Sequence, residues 1–206
     1  MADQESGEGP GQVHDLAVGE PIWNQFFTVA PLTLVSTIEE DGSHDIAPKH
    51  MAMPLGWSNF FCFACSPNHA TQRNAQRTGG FTVSFPRPDA VIEVSLAAGP
   101  RGEEGDKPSL AAIPVHPARE ITGVLVSDAY LWLECRLERV IEGYGENSLI
   151  VGEVVAAQVA ESALRRAESD DADLIAAEPL LAYLSPGRFA RISESFSFPF
   201  HVDFKR

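Results

Sequence analysis

Alternation of apolar and polar residues predicts strands along much of this chain. The pattern begins in residues 31–40, is interrupted by turn-forming residues at 40–43, and resumes in 44–48, which predicts a β-hairpin. Residues 59–65 form a continuous apolar run rich in aromatic side chains, which is typical of a strand buried on both faces. Residues 81–85 alternate again and predict a further strand.

A second group of strands is predicted nearer the C terminus. Residues 130–141 alternate cleanly, and residues 148–159 are the predicted partner strand, joined to the first through 142–147. Residues 179–200 predict a closing pair of strands around 185–187, followed by an extended tail. Six or more strands with few helices indicate a mainly β fold, a β-barrel with flanking helices.

Helix signals are clearest in residues 66–80. Ser66 is a suitable N-cap, Pro67 suits the first helical position, and Gly79 and Gly80 stand where a helix is expected to stop. Residues 87–98 predict a short helix, and the acidic, Ala-rich residues 161–177 predict an exposed one. Residues 99–117 predict a long loop or a segment with little regular structure, and a loop of this length inside a compact domain is usually functional or disordered.

Length and composition predict one globular domain preceded by an arm. The chain has 206 residues, 44% of them hydrophobic, which is enough apolar surface to exclude disorder throughout. Residues 1–20 are polar and acidic and predict a flexible arm, whereas residues 21–200 predict a single domain with a C-terminal extension. We expect a cytoplasmic protein, because the N terminus lacks the pattern of a signal peptide and three cysteines are too few for a disulfide framework.

The distribution of charge points to an anion site. The net charge of -14 disfavours binding to nucleic acids or anionic membranes. However, the 43 residues between Asp45 and Asp89 contain no Asp or Glu. The bases in this window are Lys49, Arg73, Arg77 and Arg87. Buried strands explain the missing acids at 58–65 and 81–85, because cores contain few charges, but they do not explain the polar helix between them.

One face of that predicted helix is unusually polar. Positions 67, 70, 71, 74 and 78 carry Pro, Ala, Thr, Asn and Thr, where a helix docked on a core normally presents large aliphatic residues. Unpaired N–H groups at its start could hold a phosphate near Ser66–Thr71. The alternative is a surface helix that lies loosely on the barrel.

Other motifs of catalysis or metal binding are weak or missing. Cys62 and Cys65 have CxxC spacing but lie on a predicted strand, where residues three apart point to opposite faces, so we expect no metal or dithiol site. The six histidines show no metal-ligand spacing. The sequence also lacks the dinucleotide, Walker-type and GxSxG signatures.

The ordered set of segments resembles the flavin reductase-like family of FMN-binding split β-barrels, of the flavoredoxin and flavin reductase type. The resemblance covers about residues 21–192. The segments that carry it are APKHMAMPLG at 47–56, SPNHATQRN at 66–74, TGGFTVS at 78–84, GDK at 105–107, LECRLERV at 133–140, VGEVV at 151–155, and PLL at 179–181 with Phe189.

The resemblance implies a six-stranded Greek-key barrel that forms a homodimer, with FMN near the interface. It implies hydride transfer from NADH or NADPH to FMN, with no catalytic side chain, because the flavin carries the chemistry. The turn implied around the isoalloxazine ring runs from Ala47 to Met53 and includes His50, Met51, Ala52 and Met53, and Lys49 is the cation expected near the flavin or its phosphate. Those implied near the ribityl chain and phosphate are Ser66, Pro67, Asn68, His69, Thr71 and Asn74.

Three functions remain open at this stage. The first is an NAD(P)H-dependent flavin reductase, which could supply reduced flavin to a partner monooxygenase. The second is an FMN-binding electron-transfer protein without significant NAD(P)H reductase activity. The third is a partner-binding module that uses the acidic arm. The sequence does not distinguish NADH from NADPH.

Overall fold

The computed structural model describes residues 13–103 and 105–201, and these residues are mostly β. The strands are β1 (Thr28–Pro31), β2 (Thr33–Ile38), β3 (His44–Lys49), β4 (Ala52–Pro54), β5 (Phe60–Cys65), β6 (Gly80–Pro86), β7 (Val115–Pro117), β8 (Val124–Val126), β9 (Ala129–Tyr144), β10 (Asn147–Val159), β11 (Leu180–Ser185) and β12 (Arg188–Ile192). The helices are α1 (Ala70–Thr78), α2 (Val91–Ala97) and α3 (Asp171–Ala177).

A curled seven-stranded sheet forms a half-barrel, with its strands in the order β3-β2-β6-β9-β10-β5-β4. A smaller sheet has the order β1-β11-β12, and β7 pairs with β8. The predicted mainly β fold is therefore confirmed. The large sheet has one strand more than the six that the resemblance implied, because the three-residue β4 extends its edge beside β5.

The predicted strand pairs are confirmed. Strands β2 and β3 form the hairpin, in antiparallel register from Thr33 opposite Lys49 to Ile38 opposite His44. The closing pair is β11 with β12. Strands β9 and β10 pair over most of their length, and β9 continues to Tyr144, so the turn between them is shorter than predicted.

The predicted start of the first helix is wrong. Helix α1 begins at Ala70, and Ser66 is not its N-cap. The N–H of His69 donates to the carbonyl of Ser66 at 3.0 Å, which closes a separate β-turn with Pro67 at the position that proline prefers. The end of the helix is as predicted, because Gly79 is the C-cap with a left-handed φ of 75°.

One further prediction along the chain needs correction. Of the predicted helix at 161–177, the structure forms a 3₁₀ turn at Glu161–Ala163 and helix α3 at Asp171–Ala177. Residues 99–117 have little regular structure, which is one of the two forms predicted for them: a 3₁₀ turn at Pro108–Ala112 and the three-residue strand β7. The helix predicted at 87–98 forms as a 3₁₀ turn leading into α2.

Two hydrophobic cores share strand β2. Val35 belongs to the core inside the large sheet, together with Phe61, Phe63 and Phe81. Leu34, the preceding residue, belongs to the second core, which includes residues of β3, α2 and β11. Since successive side chains of a strand point to opposite faces, β2 contributes to both cores.

A buried carboxylate fixes the loop between β7 and β8. Glu134 lies on β9 and is only 1% exposed. Its side-chain oxygens accept hydrogen bonds from the backbone N–H groups of Arg119, Glu120 and Ile121 at 2.7–3.2 Å. Hydrogen bonds of this kind compensate for burying the charge and hold the loop against the sheet.

The chain termini differ from the compact region between them. Residues 13–27 and 193–201 contain no helix or strand. The predicted acidic arm was placed at 1–20, and residues 1–12 of it lie outside the described part of the chain. No helix among the described residues is long and apolar enough to cross a membrane.

Candidate functional site

A cleft of about 370 Å³ opens beside strand β3. Asp45, Ala47, Pro48 and Lys49 of this strand line the cleft, whereas Ile46 points to the other side and is buried in a core. The second wall is the start of α1, from Asn68 to Thr71. The third is the segment that follows α2, from Ala97 to Arg101.

The cleft is strongly basic although the protein is acidic. Its cationic side chains are Lys49, Arg73, Arg101 and Lys107, against the single carboxylate of Asp45. Asp45 is buried, and its Oδ1 lies 3.1 Å from the guanidinium of Arg101 and 3.3 Å from Nζ of Lys107. Arg101 also pairs with Glu39 at 2.6 Å, so two carboxylates hold Arg101 and Lys107, and the surplus positive charge of the cleft is that of Lys49 and Arg73.

Lys49 is a buried ammonium at the inner end of β3. Its side chain reaches the thiol of Cys65, with Nζ 3.5 Å from Sγ. Lys49 is 9% exposed, and an isolated charge is costly to bury. An ammonium has three hydrogen-bond donors, and among the described residues one of them reaches this weak acceptor. An anion in the cleft would satisfy the others.

The start of α1 presents backbone donors to the same cleft. His69 is the N-cap, with an extended backbone, and its side chain makes no capping hydrogen bond. The first turn contains no acidic residue. The first N–H groups of a helix have no partner within the helix and carry partial positive charge. Arg73 secures the preceding turn, because its Nη1 donates to the carbonyl of Asn68 at 2.6 Å.

His69 adds an uncharged imidazole to this wall. Burial lowers the pKa of His69 below its ordinary value of 6.5, and the positive charges of Lys49 and Arg73 lower it further. The imidazole is therefore neutral at pH 7. Its Nδ1 lies 4.0 Å from Sγ of Cys65, which leaves the other ring nitrogen for a ligand.

The structure brings together four of the residues predicted around the phosphate and ring. Lys49, Asn68, His69 and Thr71 all line the cleft beside β3. Ser66 and Pro67 lie in the turn before α1 and do not line it. Ser66 shapes this turn, since its Oγ accepts a hydrogen bond from the N–H of Asn68 at 3.3 Å.

Two other residues from the sequence analysis lie elsewhere. Asn74 is buried and its Nδ2 donates to Oγ1 of Thr37 at 3.3 Å, so it fastens α1 to β2 and lines a neighbouring, larger cleft. Helix α1 is thus packed on the sheet and does not lie loosely on it. Arg87 pairs with Glu178 at 3.0 Å and takes no part in the cleft.

The predicted ring-binding residues form the turn from β3 into β4. The ring of His50 packs against that of Tyr183 on β11, with 4.5 Å between centroids. Burial lowers the pKa of His50, and the charge of Lys49 lowers it further, so His50 is neutral at pH 7. Ala52 is buried, whereas the side chains of Met51 and Met53 are 55% and 54% exposed. This turn therefore presents apolar surface beside the basic cleft.

Arg101 and Lys107 are cleft residues that the sequence analysis did not identify as such. Both come from residues 99–117, predicted as a long loop or a segment with little regular structure, and Lys107 belongs to the GDK segment of the resemblance. Their contact with Asp45 spans more than fifty positions of sequence. A local pattern does not reveal such a contact.

The cysteines show no arrangement for metal binding. Cys62 and Cys65 both lie on β5 and are buried, and both are free thiols. Among the described residues, no group of three or more His, Cys, Asp or Glu side chains is placed to hold a metal ion.

Most of the chain matches a known protein family and a curated relative. The family model described as flavin reductase like domain matches residues 27–191. An uncharacterised protein of Methanothermobacter thermautotrophicus is 28% identical over 155 residues, which is 73% of each chain.

Solved structures share the fold. The Pseudomonas fluorescens 2-nitrobenzoate 2-nitroreductase NbaA superposes with a TM-score of 0.77 at 17% identity, covering 94% of this chain and 99% of that one. Nitrilotriacetate monooxygenase component B from Bacillus cereus gives a TM-score of 0.74 at 19% identity, covering 96% and 100%. At these identities the likeness shows the fold alone.

Proposed function

This chain belongs to the flavin reductase-like family, and we propose that it is an FMN-dependent oxidoreductase that takes hydride from NADH or NADPH. The observation that carries the proposal is the basic cleft at the start of α1 in a protein of net charge -14. A phosphate ester needs such a combination of cations and backbone donors.

The residues of the cleft fit the phosphate of FMN. In the proposed complex, Lys49 donates to the phosphate oxygens, and the hydroxyl of Thr71 and the first N–H groups of α1 add further hydrogen bonds. Lys107 and Arg101 supply longer-range attraction from the opposite wall. Asn68 and His69 line the path from the phosphate toward the turn at His50.

The turn from β3 into β4 fits an aromatic ring system. In the proposed complex, the isoalloxazine ring lies against His50–Met53, with the neutral imidazole of His50 held in place by Tyr183. When bound, FMN supplies the hydride-accepting ring, and the protein positions and shields it. No side chain needs to act as a general acid or base, and we assign none.

We also propose that the active form is a homodimer with FMN near the interface. The support is the exposed apolar surface beside the proposed ring site, formed by Met51, Met53 and Trp57. The side chain of Trp57 is 98% exposed. Strand β4 is the edge of the large sheet, so a second copy can cover this surface. A monooxygenase that receives reduced flavin is the proposed partner, since one protein of the same fold is a monooxygenase component.

An absorption spectrum of the purified protein tests the proposal. We expect flavin bands, either on purification or after FMN is added, that bleach when NADH or NADPH is added without oxygen. Bands that persist with both donors would favour the electron-transfer protein instead. If added FMN does not bind at all, the assignment of the cleft is wrong.

A further inference from the structure

A side-chain contact next to the basic cleft joins the two ends of the curled seven-stranded sheet. Strand β3 lies at one end of this sheet, and β5 is the second strand from the other end. Lys49 is the last residue of β3, and its Nζ donates to Sγ of Cys65, the last residue of β5, at 3.5 Å. The contact therefore bridges the opening of the half-barrel at the position of the cleft.

The ammonium of Lys49 has few other partners. Its Nζ lies 6.0 Å from the centroid of the Phe63 ring, at the limit of a cation–π interaction. Phe63 and Cys65 are two positions apart on β5 and belong to the same hydrophobic core. Among the described residues, this ammonium donates its one hydrogen bond to Cys65. The direction of the Lys49 side chain therefore depends on that thiol.

The turn before α1 fixes the direction of the thiol in its turn. Sγ of Cys65 donates to the carbonyl of Ser66 at 3.6 Å and lies 4.0 Å from Nδ1 of His69, the N-cap of α1. A thiol has a single proton to donate, and its sulfur is a weak acceptor. With the proton directed to Ser66, the lone pairs of the sulfur remain for the ammonium of Lys49.

We infer that Cys65 is a positioning residue, which holds the ammonium of Lys49 in place for the phosphate of FMN. Cys65 is 2% exposed and does not line the cleft, so it acts through Lys49 without touching the ligand. The inference rests on the proposed function, in which Lys49 donates to the phosphate. A lysine side chain that is already ordered loses less conformational entropy when its ligand binds.

The apolar surroundings explain why the sulfur matters. Without it, the ammonium would lie beside the ring of Phe63 with no hydrogen bond from the protein. Burying an unpaired charge is costly, so the side chain would favour rotamers that turn toward water. FMN would then have to pull the ammonium back into the cleft, and its affinity would fall.

Cys135 provides a matched comparison. It is 0% exposed and belongs to the same core as Cys65. Burial raises the pKa of the Cys135 thiol to about 12, so this thiol is protonated at pH 7. Among the described residues, it makes no hydrogen bond to Lys49. Removing the sulfur of Cys135 therefore takes the same atom from the same core and leaves the contact of Lys49 intact.

Titration of FMN fluorescence with the full chain, together with thermal unfolding, tests the inference. Cys65→Ala should weaken FMN binding about threefold to tenfold, the range for one lost hydrogen bond. Cys135→Ala should lower the melting temperature to a similar extent and leave FMN affinity unchanged. Cys65→Ser keeps an acceptor for the ammonium and should recover part of the lost affinity. Equal FMN affinity in the two alanine variants would overturn the inference, and so would a serine variant as weak as Cys65→Ala.

A double-mutant cycle shows whether Cys65 acts through Lys49. Adding Cys65→Ala to Lys49→Met should weaken FMN binding less than about twofold further, because the ammonium that the thiol positions is already gone. A further loss as large as that of Cys65→Ala alone would mean that Cys65 acts independently of Lys49, and the inference would be wrong.

The wild-type chain separates the two ways of failing. If it binds FMN and Lys49→Met weakens this binding, but Cys65→Ala does not, the inference fails and the proposed function stands. If the wild-type chain does not bind FMN, the proposed function fails and the inference fails with it.

Discussion

Helices α1 and α3 begin in opposite ways, and the contrast separates a binding element from a structural one. Helix α3 satisfies its own start: the side chain of Asp170 accepts hydrogen bonds from the N–H groups of Ala172 and Asp173. Two more aspartates lie in its first turn. Helix α1 has no capping side chain and no acid there, and it begins beside a buried lysine.

The two helices also differ in how many of their residues are buried. Helix α3 contains no buried residue, whereas α1 buries Ala70, Thr71, Gln72, Asn74 and Ala75. A chain that places three aspartates around one helix start and none at another leaves the second start open to an external anion. Being firmly packed on β2, α1 can present its start in a fixed position.

The largest effect should come from removing the buried cation next to α1. Lys49→Met should weaken FMN binding about tenfold to a hundredfold, the loss expected for a hydrogen bond to a charged group. Fluorescence titration measures this change. Arg139→Met is the control. Arg139 is exposed on β9 and lines neither cleft, so this substitution removes the same charge away from the proposed site. If the two variants bind FMN equally well, Lys49 does not contact the phosphate.

A smaller effect should follow from giving α1 the cap that α3 has. His69→Asp should stabilise the helix start by about 0.5–1 kcal/mol and weaken FMN binding about tenfold, because its carboxylate takes the N–H groups and repels phosphate. Thermal unfolding and fluorescence titration measure the two quantities. His69→Asn caps without a charge and should lose less affinity. An equal loss in both variants would mean that charge is not the cause.

The reciprocal change removes the cap of α3. Asp170→Ala should destabilise this helix by about 1 kcal/mol and leave FMN binding unchanged. Since α3 buries no residue, the loss is local, and faster amide hydrogen exchange at Leu174–Glu178 is the appropriate measurement. Any weakening of FMN binding would contradict the separation between the two helices.

The smallest effect concerns pH. Burial and nearby cations lower the pKa of His69 in the folded chain, so the unfolded chain binds a proton more readily. The free energy of unfolding should therefore fall as the pH drops below about 6.5. In the first turn of α3, the hydrogen bond from Arg165 lowers the pKa of Asp171, so the stability that Asp171 contributes is lost only as the pH falls below about 3.8. Between pH 7 and 5, the free energy of unfolding should therefore change less with pH in His69→Asn than in the wild type. An unchanged slope would contradict this assignment.

Much of the fold could be predicted from the sequence because its long strands carry a clear alternation. The hairpin β2–β3, the pair β9–β10 and the closing pair β11–β12 were all predicted. The strands β1, β4, β7 and β8 were not, since three or four residues are too few to show a period. The start of α1 was misplaced because Ser66-Pro67 fits both a helix start and a β-turn.

The candidate site could be predicted only in part. Lys49 and the start of α1 stand out because they lie in a long stretch without acids. Arg101 and Lys107 come to the cleft through a tertiary ion pair with Asp45, and the loop that holds them has no regular pattern. The clamp of Glu134 on the backbone of 119–121 was also not predicted, because a single glutamate in an alternating strand looks like a surface residue.

Strand β2 links the two hydrophobic cores and so determines how this protein unfolds. Its successive side chains, Leu34 and Val35, belong to different cores. Loss of β2 would therefore disrupt both cores together, and neither core can unfold alone. Unfolding should therefore be a single cooperative transition in which all probes coincide. Because β3 hydrogen-bonds to β2 along its whole length, the basic cleft should disappear in that same step, with no partly unfolded species that still binds flavin.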